Sequence, residues 1–276
     1  MAVLTIAREL GAIIRGEELA LCNTLKLHCI SKATIEKRFS EMGIDQELLR
    51  RFDECKPGLL GAVSKSAEYY WETLRTILLQ ESVHGNIAII GRGGNFLFSG
   101  LANCLRIKLV APENFRIRQI ATQQSIPEAE ARKLIRKSDC SREKFCKFYY
   151  GQSWKDPANY DLIINTEHIS LEELAHILPP LLPSPPSEQQ QQQLQLVVQG
   201  QIIRHALLSI KDLQLLCPEV FFDKDGTATL HGTVPSVIVA KRAEEAVRKM
   251  PGVNSVINEL TVVTRDIPNR LPPLMH

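Results

Sequence analysis

A chain of 276 residues exceeds one typical domain and can bury a sizeable core. Its 44% hydrophobic and 23% charged residues are ordinary for a globular protein, and a formal net charge of +2 gives no electrostatic case for nucleic acid as the main partner. Seven scattered cysteines without a C-x-x-C pair give no support to a zinc or thioredoxin-like site, and their odd number argues against a disulfide framework. The start, MAVLTIAREL, is not a signal peptide, and no apolar run approaches a membrane span, so a cytoplasmic protein is expected.

Taken in chain order, the first elements are VLTIA (3–7), a glycine turn and a helical stretch over 17–26. Helical patterns follow over 31–54 and 61–83; in the second, Ala67, Tyr70, Trp71, Leu74, Ile77 and Leu78 fall at helical spacing. NIAII (86–90), CLRIKLVA (104–111) and YDLIINT (160–166) are short, apolar and β-rich, as strands buried on both faces of a parallel sheet are. Between them lie amphipathic stretches at 113–123 and 127–148, and another follows at 170–178. Ser31, Pro127 and the capping-box pattern SLEE (170–173) mark helix starts. Strands alternating with helices predict an α/β domain, a parallel sheet covered on both sides.

Composition changes at PPLLPSPPSEQQQQQLQ (179–195), which reads as a linker, although its glutamines can also extend the helix that follows. After it come a helical LVVQGQIIRHALLSI, two β-rich runs joined by the hairpin signal DKDG, an amphipathic helix closed by Pro251-Gly252, and a last alternating strand. The expected domains are 1–180, a linker over 181–196, and a small α-β-β-α-β module over 197–264.

Three stretches carry candidate chemistry. The turn after the first strand keeps Gly11, Gly16 and the basic Arg15, but puts Ile13 and Ile14 where a phosphate loop needs glycines, and no Lys-Ser/Thr follows. The strand AIIGRGG runs into Gly91-Arg92-Gly93, at the carboxyl end where ligands of such sheets bind; Arg92 can pair with a phosphate in two-pronged fashion. In RKSDCSREKF, Asp139 and Arg142 lie three apart on one helix face, a pairing suited to a phosphorylated, hydroxylated ligand or to a plain surface ion pair.

LTIARELG, IIGRGGNFLF, LRIKLVAPENFRIRQI, SDCSREKFCKFYYGQSWKD and YDLIINTEHISLEELAHIL, in this order, resemble the cytidylate kinase-like family of the P-loop nucleoside monophosphate kinases, over roughly residues 1–180. The resemblance implies a five-stranded, three-layer parallel sheet and transfer of the γ-phosphate of ATP to CMP or dCMP with Mg2+, no other metal being expected. It implies that Gly91, Arg92 and Gly93 hold the acceptor phosphate. Asp139 turns toward the acceptor nucleoside and Arg142 toward phosphate. Arg116 and Arg118 belong to the donor side, and Gly11 and Arg15 are what remains of the phosphate loop, Arg15 and Arg118 being the candidate catalytic cations. Family members carry a Gly-Ser-Gly-Gly turn where this chain has Gly11-Ala12-Ile13-Ile14. That departure falls on the donor half, so an active CMP kinase and an inactive, nucleotide-binding relative both remain open. DKDGTATLHGTVPSVIVAKRAEEAVRKMPGVNSVINELTVV resembles a BON domain, which implies a binding role toward a protein or an anionic surface; Lys241, Arg242, Arg248 and Lys249 are its candidate contacts, interleaved with Glu244 and Glu245.

Overall fold

A computed structural model describes residues 3–14, 16–44, 65–83, 85–100, 103–184, 187–210 and 212–263. They form two compact units.

In the first unit, β1 (Val3–Arg8), β2 (His28–Ile30), β3 (Ile87–Ile90), β4 (Cys104–Val110) and β5 (Leu162–Asn165) make one sheet in the order β2-β3-β1-β4-β5. Every pairing in it is parallel. The chain leaves β1 toward one edge, returns through β3, and crosses to β4 on the other side. The order therefore reverses at β1, and the crevice at the carboxyl ends of β1 and β3 is where such a fold binds ligands. Helices α1 (Glu17–Thr24), α2 (Lys32–Glu41), α4 (Gly94–Leu97), α5 (Glu113–Gln124), α6 (Glu128–Tyr150) and α7 (Leu171–Ile177) belong to this unit. Leu4, Ile6, Ala88, Ile107 and Leu109 pack with Leu21 of α1 and Leu174 of α7 in one core, and α5 and α6 meet through Ile117, Ile120, Ala131 and Ile135. Two of the three start signals read from sequence are side-chain caps, and Pro127 stands at the N-cap of α6 without one. Ser31 accepts the Thr34 N–H, and Ser170 and Glu173 form a capping box. Arg106 of β4 grips Asp161 before β5 through two contacts, 3.1 and 2.7 Å, and this holds the Asp161 carboxyl below the usual carboxylate range.

The second unit has the expected α-β-β-α-β order: α8 (Glu188–Ser209), β6 (Leu216–Phe222), β7 (Thr227–Val234), α9 (Val237–Arg248) and β8 (Ser255–Val262). β6 and β7 are an antiparallel hairpin, and β8 joins β7 in parallel. The glutamine run is helical: Ser187 and Gln190 form a capping box, and the first turns of α8 are the glutamines themselves. This unit also contains α3 (Lys65–Val83), which lies in sequence between β2 and β3. On α9, Arg242 faces Asp212 at 3.6 Å and Arg248 faces Glu244 at 2.6 Å, so half of its expected surface cations are paired within the protein. Among the described residues no helix is long and apolar enough to cross a membrane.

Candidate functional site

The last residues of β1, Ala7 and Arg8, lie beside the turn that follows β3. There Gly91, Arg92 and Gly93 take left-handed backbone angles in succession, with φ of 70°, 57° and 68°. For the arginine this conformation costs about 1–2 kcal/mol, the kind of local strain concentrated at ligand sites. The turn is held from both ends: Gly91 N–H donates to Ile6 O at 2.9 Å, and the Tyr150 hydroxyl donates to Arg92 O at 3.1 Å. Gly93 is required by close approach, since a Cβ there would lie 2.2 Å from the Tyr150 ring.

Arg8, Arg92, Asn95, Arg142 and Trp154 line one cavity of about 20 Å³ at this edge, room for one small polar group. Three arginines thus line the same small cavity. Arg92 is buried, 5% exposed. Arg142 comes from α6, donates to Arg8 O at 2.6 Å, and lies over the Trp154 ring. Asn95 is 3% exposed, and its side-chain amide Nδ2 has no hydrogen-bond partner. A buried donor left unsatisfied is costly, and an acceptor placed in that cavity among its arginines would satisfy it.

The turn from β1 to α1 is closed on itself. Gly11 has φ +82°, and a Cβ on it would lie 2.7 Å from Arg116 O. Ile13 is a core residue, packed in the cluster with Ile6 and Leu21, whereas Ile14 is exposed. The Ile14 N–H donates to Glu17 Oε2 at 2.7 Å and the Gly16 N–H to Glu18 Oε2 at 3.0 Å. Amides at the start of α1, the positions that would cradle a phosphate, are therefore bonded to the helix's own first-turn carboxylates. Glu18 also pairs with Arg8 at 3.2 Å. Thr166 at the end of β5 bonds Ala12 O. Arg15 lies outside the described residues.

A larger cleft of about 480 Å³ lies over α5 and α6, lined by Arg116, Arg136, Asp139, Glu143, Lys144 and Lys155 among others. Arg116 is buried beneath it, 7% exposed: Nε donates to Ala111 O at 3.1 Å, Nη1 to Leu10 O at 3.3 Å and to Asp139 Oδ2 at 2.9 Å, and Glu9 is 3.3 Å away. Lys108 of β4 is also buried. Its Nζ donates to Trp154 O at 3.0 Å and sits 4.1 Å above the Trp154 ring centre; burial lowers its pKa, against the opposing pull of Glu9, Asp139 and Glu143. Asp139 Oδ1 and Glu143 Oε2 are buried without partners.

The expected residues are thus divided. Gly91, Arg92, Gly93 and Arg142 share the small cavity, Arg116 and Asp139 form an ion pair at the larger cleft, and Gly11 packs on the Arg116 backbone. Arg118 is 60% exposed and 3.9 Å from Glu167, and it lines neither cavity. Sequence reasoning passed over Arg8, Asn95, Lys108 and the Glu17–Glu18 pair. Arg8 and Asn95 had a signal, since each sits at the carboxyl end of a strand or just past a glycine turn. Glu17 and Glu18 are bonded to loop amides, and among the described residues no three His, Cys, Asp or Glu side chains converge.

Residues 3–168 match the family model described as the cytidylate kinase-like family, and residues 223–264 match the BON domain. Over 94 residues the chain is 36% identical to a cytidylate kinase of Sulfolobus acidocaldarius, covering 34% of this chain and 50% of that protein. Over 100 residues it is 30% identical to a cytidylate kinase of Staphylothermus marinus, covering 36% of this chain and 55% of that protein. The chain spans about half the length of these curated relatives. A shikimate kinase from Bacteroides thetaiotaomicron aligns over 66% of this chain and 98% of its own, with 17% identity and a TM-score of 0.41.

Proposed function

The chain belongs to the cytidylate kinase-like family and carries a BON domain, and from that premise we propose that its first unit binds a pyrimidine nucleoside monophosphate, CMP or dCMP, while transferring phosphate from ATP poorly. One observation carries the binding half: Arg8, Arg92 and Arg142 meet at a cavity that also holds an unpartnered, buried Asn95 amide. The monophosphate enters there, drawing the guanidinium groups onto its oxygens. Arg142 and Asp139 are three residues apart on α6, a rise of about 5 Å. The cleft at Asp139 therefore lies within a nucleotide's reach of the phosphate, and the free Asp139 Oδ1 and Glu143 Oε2 are acceptors for ribose hydroxyls or a base amino group.

The transfer half rests on the loop. Phosphoryl transfer depends on positioning and on neutralising charge at the phosphates. A loop that is degenerate in glycine, with two carboxylates on its amides, presents negative charge where the β-phosphate of ATP belongs. The active-kinase reading keeps one support, the retained acceptor residues.

Calorimetric titration with CMP, with AMP as control, tests the proposal. Selective CMP binding is expected, weakened about 10- to 100-fold by Arg92→Ala, the loss for one or two charge-assisted hydrogen bonds. Unaltered affinity in that variant removes Arg92 from the site, and no binding of either nucleotide overturns the reading.

A further inference from the structure

Within the first unit, α1 and β2 are joined only by Leu25, Lys26 and Leu27. The Leu27 N–H donates to Cys22 O at 2.9 Å, which sets the start of the strand beside the last turn of the helix. Side chains two apart on extended backbone share a face. Leu27 is buried in the core cluster that contains Cys22, Cys29 packs on that same cluster, and His28 between them is exposed. Cys22 and Cys29 therefore face one another, and the Cys22 thiol donates a hydrogen bond to the Cys29 sulfur. Cys22 is wholly buried, whereas Cys29 is half-buried and reachable from solvent.

The hydrogen bond divides the two sulfurs by reactivity. It raises the Cys22 thiol above the ordinary thiol range, with burial acting in the same direction, and it lowers Cys29. Arg8 favours the Cys29 thiolate as well, against burial and the Glu18 carboxylate. The thiolate is the nucleophile, so the attacking sulfur is the one that solvent reaches, and a protonated thiol stands directly behind it. Cys104 has no such arrangement: burial and Asp161 push its thiol up to about 12.

We propose that Cys29 and Cys22 form a reversible oxidation site, Cys29 being the sulfur that attacks hydrogen peroxide and Cys22 the sulfur that resolves the product into a disulfide. In the first step the Cys29 thiolate attacks one peroxide oxygen. The O–O bond breaks, Cys29 becomes a sulfenic acid, and the departing hydroxide takes up a proton as water. In the second step the Cys22 sulfur attacks the Cys29 sulfur. The S–O bond breaks, the S–S bond forms, and the departing hydroxide takes the Cys22 proton as a second water. Two thiols and one peroxide thus give one disulfide and two waters. Two molecules of a small thiol such as glutathione reverse the change and are themselves oxidised to their disulfide. The bond closes the segment from Cys22 to Cys29 and clamps β2 to the helix whose first turn carries Glu17 and Glu18. Neither step involves the Arg92 cavity.

The test treats the full, reduced, folded chain with a slight excess of hydrogen peroxide. Remaining thiols are blocked with iodoacetamide, and the denatured protein is cut with trypsin without reductant and read by mass spectrometry. Cleavage after Arg15, Lys26 and Lys32 puts the two cysteines on separate peptides, 16–26 and 27–32. These are expected to appear joined and to separate on adding dithiothreitol. In Cys22→Ala, dimedone is expected to trap a sulfenic acid on Cys29; in Cys29→Ala, Cys22 is expected to stay unlabelled. Closing so short a loop is expected to raise the melting temperature of the oxidised protein by roughly 5 °C. Oxidation elsewhere, as at the exposed Cys140, without the joined peptides overturns the proposal, and so does no oxidation at all. Dimedone on Cys22 in the Cys29→Ala chain overturns the assigned order, and a melting temperature that stays or falls overturns the clamp. Should either variant not fold, dimedone added together with peroxide to the unmodified chain decides the order by whether it marks Cys29 or Cys22.

Discussion

Replacing Glu17 and Glu18 together by glutamine is expected to make the protein less stable and ATP binding tighter. The two carboxylates accept loop N–H groups at 2.7 and 3.0 Å, and Glu18 also pairs with Arg8 at 3.2 Å. A charge-assisted hydrogen bond exceeds a neutral one by about 1 kcal/mol, and an acidic group in the first helical turn adds about 0.3–1 kcal/mol. Partial exposure keeps the sum near 2 kcal/mol, or a fall of about 4–8 °C in melting temperature for a unit of this size. For ATP the sign is reversed. A phosphate charge about 5 Å from each carboxylate meets repulsion of roughly 2–3 kcal/mol in total at an effective dielectric of about 40–80, between that of a protein-surface pair and bulk water. Relieving most of it corresponds to a gain of about 10- to 100-fold in affinity. Calorimetry with ATP and a thermal melt read both quantities, with Glu36→Gln on α2 as a charge control. A fall in stability with no gain for ATP would refute the idea that these carboxylates close the loop. Restoring glycine at Ile13 and Ile14 is a poorer test, because Ile13 belongs to the core and its loss opens a cavity costing about 2–5 kcal/mol.

Gly93→Ala should destabilise the first unit by about 3 kcal/mol and weaken CMP binding, since the new Cβ falls 2.2 Å from the Tyr150 ring at φ +68°. Urea unfolding measures it, with Gly100→Ala, whose Cβ meets nothing within 4 Å, as the reference. Burial lowers the pKa of His205 below its ordinary value while Glu72 pulls the other way, with Tyr69 stacked on the ring and Arg204 on the next helical position. The unfolded chain then binds the proton more readily than the native one. The stability this residue confers is complete above about pH 6.5 and is lost as the pH falls below it. His205→Gln should flatten that part of the pH–stability curve, and an unchanged curve would clear His205 of the role.

Much of the fold was legible because buried parallel strands and amphipathic helices write themselves in apolar runs and 3.6-residue spacing. The strands at Val3–Arg8, Ile87–Ile90, Cys104–Val110 and Leu162–Asn165 fall within or beside the runs read for them. β2 was not picked out by pattern: it is three residues long, and His28 is exposed. The packing of α3 was hidden for a different reason. Tyr70, Leu74, Ile77 and Leu78 say that a face is buried but not against what, and the polar Glu72, Thr73 and Thr76, which carry no burial signal of their own, are buried against α8. At the site, a glycine turn after a strand announces a close backbone approach, so Gly91–Gly93 could be found. The Glu17–Glu18 contacts could not, because a first-turn glutamate is also what any well-capped helix carries.

The two halves of the candidate site share one side chain. Arg8 lines the Arg92 cavity and pairs with Glu18, which also accepts from the Gly16 amide of the loop. A monophosphate in the cavity competes with Glu18 for that guanidinium, so a bound acceptor weakens the grip of Glu18 at the start of α1. Losing the Glu18 charge frees Arg8 for the acceptor as well as clearing the loop. The Glu17→Gln/Glu18→Gln protein should therefore gain affinity for CMP as well as for ATP, with the larger gain for ATP, because two carboxylates face the loop and only one is tied to Arg8. A gain confined to CMP would place the control at Arg8 and leave the loop closed for a steric reason, with Ile13 and Ala12 packed in the core and Thr166 bonded across to Ala12.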